Sequence, residues 1–132
     1  MKVELYREGW LGMNICQFVS IEINESNGET VFLCEDDIQR EIDGCGLVKR
    51  SFPPSERGKE WKRQIIHAFQ SCHSDLSTTN PTNYRLDRWM KGTQIIIHNM
   101  ENLKKQEFYS DGKSEIEKVV NAIGKDIGVF EK

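Results

Sequence analysis

The sequence predicts an α+β domain: an N-terminal antiparallel β-sheet of three to four strands, with two to three C-terminal amphipathic helices covering one face. Three observations carry that expectation. The first 51 residues alternate apolar and polar side chains and favour β-branched and aromatic types, whereas from residue 52 apolar residues recur at spacings of three and four. Asn27–Gly28 stands between two strand-like runs, where it signals a tight hairpin. Strands first and helices afterwards is the order of a sheet with helices segregated to one side. At 132 residues the chain reads as a single domain, 1–132, large enough to bury a core without covalent staples.

The elements follow in order. Val3–Tyr6 alternates and is expected to pair at one edge of the sheet. "NICQFVSIEI" and "TVFLC" flank the Asn27–Gly28 turn and form a hairpin over about 13–34. "EDDIQREIDG" suits one short helix, with early acids, Ile38 and Ile42 four apart, and a closing glycine. "GLVKRSF" reads as a fourth strand. A helix over about 54–72 starts at Pro54–Ser55 and places Trp61, Ile65, Ala68, Phe69 and Cys72 on one face. The spacing of Leu86, Trp89, Thr93, Ile97, Met100 and Leu103 predicts a second helix over about 83–105. "FYSDGK" is a turn, and a third helix over about 114–127 is capped at Ser114 and buries Ile116, Val119, Val120, Ile123 and Ile127. Ile95 falls off the stripe of the second helix; an isolated exposed Ile is ordinary, and the alternative reading makes the helix face around it the contact of a homo-oligomer.

Charge is unevenly distributed. The chain carries a net −3, but residues 1–48 hold three cations against ten acids, a balance of −7, and residues 49–91 hold nine against four, a balance of +5. The acidic strand half and the basic helical half therefore suit different partners. No apolar run reaches the roughly 20 residues that cross a bilayer, so no membrane association is expected. The opening "MKVELYREGW" lacks the apolar core of a secretory signal, so the cytoplasm is the expected compartment. Cys16, Cys34, Cys45 and Cys72 form no C-x-x-C pair, and separated single ligands lack the spacing of a zinc site. Neither a metal nor a cofactor is implied.

The basic segment holds the candidate site. On the helix from Pro54, Lys59, Arg63 and His67 repeat every four residues on the outer face, with Arg57 near the entry. Arginines and lysines beside a helix entry attract anions. The same spacing also lets Glu56 and Glu60 pair with Lys59, Lys62 and Arg63 along the helix, leaving a plain solvated face. A polar loop leads into the predicted second helix, where Asn83 or Thr82 caps, Tyr84 stacks on a planar ring, and Arg85 and Arg88 hold phosphate. Together these residues predict a pocket for a phosphate-bearing ligand: a nucleotide, a cyclic nucleotide or single-stranded nucleic acid.

Catalytic signatures are missing: the chain holds no P-loop, G-x-G-x-x-G, G-x-S-x-G or H-E-x-x-H pattern. The sequence therefore reads as a small binding protein rather than an enzyme, of the sequestering or inhibitory kind that phages use as accessory proteins. An alternative is an inhibitor whose acidic N-terminal half occupies a basic groove on a nucleic-acid-binding or enzyme target. A second alternative is a small hydrolase acting through Asp36, Asp37 and a histidine. The cytoplasmic expectation has a direct test: alkylation of the denatured protein without reductant should attach four labels, one per cysteine, and two labels or none would overturn it.

Overall fold

The computed structural model describes residues 1–7, 18–35, 42, 46–72, 74, 76, 93–100, 103–110 and 114–128. They build an α+β fold: six antiparallel strands in one sheet, with two helices on one side. Strands β1 (Lys2–Arg7), β2 (Phe18–Ile23), β3 (Thr30–Glu35) and β4 (Leu47–Phe52) form a meander. Helix α1 (Glu56–Cys72) then crosses to the hairpin of β5 (Thr93–Met100) and β6 (Leu103–Ser110), and α2 (Glu115–Ile127) follows. The sheet order is β4-β3-β2-β1-β5-β6.

Several expectations need correction, the first being the sheet itself, which has six strands rather than three to four because part of the predicted second helix is a hairpin. Residues 93–100 and 103–105 of the predicted second helix are strands, and residues 83–92 and 101–102 lie outside the described residues. Ile95–Ile96–Ile97 is a β-branched triplet, stiff in a helix and at ease on a pleat. Paired to β1 and β6, its alternation buries Thr93, Ile95 and Ile97 on one face. Ile95 is therefore core, fully buried opposite Leu5, and there is no helix face around it to carry an oligomer contact. Strand β1 is not at an edge either, because the β5–β6 hairpin adds two strands beyond it. Of "EDDIQREIDG" only Ile42 is described, as helical and exposed. Phe108–Ser110, expected in a turn, complete β6.

The remaining described elements stand as read, while residues 13–17 of the expected hairpin lie outside the described residues. β2 and β3 pair around the Asn27–Gly28 turn, where Asn24 and Asn27 side chains accept the backbone N–H groups of Ser26 and Glu29, each at 2.9 Å. Ser114 caps α2 in a capping box with Glu117, and Gly128 ends it in the left-handed conformation. One core unites the sheet's inner face, Val3, Leu5, Ile21, Phe32, Ile95 and Ile97, with Trp61, Ile65 and Phe69 of α1 and Ile116, Val120 and Ile123 of α2. Asn99, at φ 56°, breaks the alternation of β5 so that Met100 joins this core. Helix α1 runs across the sheet. Trp61 meets Phe52 of β4 edge-on at 5.1 Å, and Phe69 meets Phe108 of β6 at 5.4 Å. Cys34 and Cys72 are buried thiols.

The start of α1 is fixed by a backbone contact. Ser55 N–H donates to the Asn27 carbonyl at 3.1 Å, and Gly28, at φ 80°, lies directly against Gly58. A Cβ on Gly58 would stand 1.8 Å from the Gly28 carbonyl oxygen. Replacing a helical glycine by alanine ordinarily gains up to about 1 kcal/mol. Here the sign should invert: Gly58→Ala is expected to cost about 1–3 kcal/mol in urea unfolding, the range of overpacked cores. A neutral or stabilising result would refute the contact.

Candidate functional site

The predicted cations of α1 divide between its flanks. Arg57 faces α2: its guanidinium lies 5.2 Å from the Trp61 ring centre and 5.8 Å from that of Phe52, and it meets Asp126 at 3.5 Å. This stacking closes the end of the core where α1 begins and α2 ends. Lys59 bonds Glu56 at 3.1 Å and Arg63 bonds Glu60 at 2.8 Å, both one turn apart on the outer surface. His67 lines a groove of about 360 Å³ between the helices with Gln64, Ser71 and Glu115. Asn83, Tyr84, Arg85 and Arg88 lie outside the described residues. The entry of α1 is capped from within, since the Ser55 hydroxyl accepts the Gly58 N–H at 3.0 Å.

Beside the other flank of α1 lies an open cleft of about 980 Å³. The β2–β3 turn contributes Asn24, Glu25, Ser26 and Glu29, the β5–β6 hairpin Asn99 and Lys104, and α1 contributes Lys62 and Ile66. Among the described residues, neither Lys62 nor Lys104 has a carboxylate partner, unlike Arg57, Lys59 and Arg63. Lys62 appears in the sequence only as one of several helix cations. Lys104 falls in a segment whose helical spacing concealed the hairpin that brings it here.

A second cluster sits on the sheet face away from the helices. Tyr6 hydroxyl donates to Glu4 Oε2 at 2.7 Å, and Glu4 Oε1 meets His98 Nε2 at 2.6 Å. Partial burial alone would push the Glu4 carboxyl up. The hydrogen bonds from Tyr6 and His98, with the Lys2 charge nearby, outweigh it and hold Glu4 below its ordinary value. The hydrogen bond to Glu4, aided by burial and by the carboxylate charge, raises Tyr6 to about 12. The cluster ties β1 to β5 and fixes the imidazole. Glu4 and Tyr6, two apart on a strand, share a face by sequence alone, but His98 is 94 residues from Glu4. The acids of the hydrolase reading, Asp36 and Asp37, lie outside the described residues, among which no three potential ligands gather as a metal site.

Protein-family models, curated proteins and solved structures were compared with this chain, and none of the three comparisons finds a match. Among the described residues no helix is long and apolar enough to cross a membrane.

Glu4 and Tyr6 set opposite limits on stability against pH. A depressed carboxyl contributes stability above its unfolded value near 4.5, lost as pH falls through the folded value. A raised phenol contributes below its ordinary 10.0 and loses that contribution as pH rises through about 12. In a spectrophotometric titration, one tyrosine should ionise near pH 12 in the wild type and near 10 in Glu4→Ala. Identical curves for the two proteins would remove the Tyr6–Glu4 bond.

Proposed function

We propose that this chain is a small binding protein that holds a phosphate-bearing ligand of the nucleotide class in the cleft beside α1. The observation that carries this is the pair of lysines, Lys62 and Lys104, that line one cleft without carboxylate partners among the described residues. An anionic group between the two would gain charge-assisted hydrogen bonds from both. The cleft volume falls in the range of small-molecule sites, about 300–1,000 Å³. Asn99 and Glu29 on the same walls suit the hydroxyl and amino groups of a nucleoside, which favours a nucleotide over bare phosphate. Lys59 and Arg63, on the adjoining outer surface of α1, add positive potential. Their exposed pairs with Glu56 and Glu60 are worth at most about 1 kcal/mol each, so a more highly charged ligand can displace them.

A second reading, an inhibitor directed at a basic groove, rests on the exposed Glu25 and Glu29 of the β2–β3 turn, in the acidic half. Calorimetry against mono-, di- and cyclic nucleotides separates the two. Lys62→Ala and Lys104→Ala should each weaken the best nucleotide roughly 10- to 150-fold, at about 1.5–3 kcal/mol per charge-assisted bond. Arg63→Ala, whose partner is Glu60, should weaken it less. If no nucleotide binds more tightly than about millimolar, the cleft reading fails and the inhibitor reading takes its place.

A further inference from the structure

The sheet face opposite the helices carries a charge and apolar pattern that matches itself. Strand register sets its side chains in cross-strand rows. One complete row is Lys49–Leu33–Ser20–Glu4–Ile96–Glu107, from β4 to β6. A neighbouring row runs Ser51–Val31–Glu22–Lys2–His98–Lys105. On the other side, Leu47 pairs with Glu35, and Phe18–Tyr6–Gln94–Tyr109 continue at the same level. Both helices lie on the opposite face, and Tyr6 and Leu47 are two of the exposed large apolar side chains of the described residues, at 39% and 45%.

We propose that this face is the interface of a homodimer, two sheets packed face to face about a two-fold axis that runs parallel to the strands between β2 and β1. That axis lays β4 over β6 of the partner subunit, β3 over β5, and β2 over β1. Lys49 then meets Glu107 of the partner subunit, and Glu22 meets Lys2 of the partner subunit. Leu33 packs on Ile96 of the partner subunit, and Phe18 on Tyr6 of the partner subunit. No position sets like charge against like. The three lysines and four glutamates of the face, a poor surface for a polyanion, thus become complementary to a second copy. Aligned sheets pack about 10 Å apart and rotate by about 30°, within reach of lysine and glutamate side chains. Six strands about 4.8 Å apart, each presenting three residues, bury roughly 500 Å² per copy, about 1,000 Å² in all. That area lies at the lower bound of specific interfaces, so the dimer should depend on concentration. This inference rests on the sheet and not on the nucleotide reading.

Charge reversal tests it by analytical ultracentrifugation of the intact chain over roughly 1–500 µM. The wild type should pass from monomer to dimer within that range. Lys49→Glu and Glu107→Lys each turn two attractive contacts of the dimer into repulsive ones and should weaken it at least about tenfold. The double variant Lys49→Glu/Glu107→Lys should regain dimerisation. Within one chain these residues sit on opposite edges of the sheet, about 24 Å apart, so rescue cannot be intramolecular. Both are exposed, and unchanged thermal unfolding of a variant kept monomeric will show that its fold is intact. A wild type monomeric throughout, single variants that dimerise normally, or a double variant without rescue would each overturn the proposal.

Discussion

The contact between Gly28 and Gly58 sets the geometry on which the rest of the fold depends. Two backbones approach more closely there than any side chain permits, and the turn that closes the first hairpin thereby becomes the seat of α1. From that seat the helix has one course, past Phe52 on β4 and across to Phe108 on β6. The same contact brings the flank bearing Lys62 beside the β2–β3 turn, which makes a cleft there. Hairpin, helix direction and candidate site are consequences of one close approach.

Burial divides the sheet's two faces. The inner face holds the apolar core, sealed by Trp61 and the stacked Arg57 at one end and by the buried Glu117 at the other. Glu117 Oε2 accepts bonds from the Ser110 and Ser114 hydroxyls at 2.6 Å each, tying α2 to the end of β6. The outer face mixes lysine, glutamate and aromatic residues in ordered rows. Such a mixture suits neither a packed core nor a polyanion.

The sequence by itself determined the elements whose apolar period is unambiguous: the β2–β3 hairpin with its Asn27–Gly28 turn, and the helices capped at Ser55 and Ser114. In these, local propensity, capping and the buried stripe agree. It also foretold the pairing of Lys59 with Glu56 and of Arg63 with Glu60, because helical spacing alone puts them in reach. Only the tertiary structure decided the segment 93–105, where a three-to-four spacing and an alternation of two both fit a short apolar run. Pairing with β1 selected the strand. That choice moved Ile95 into the core, Lys104 to the cleft and His98 to Glu4, contacts between residues far apart in the chain. Which faces meet across such distances depends on strand order and register, and no local pattern carries that information.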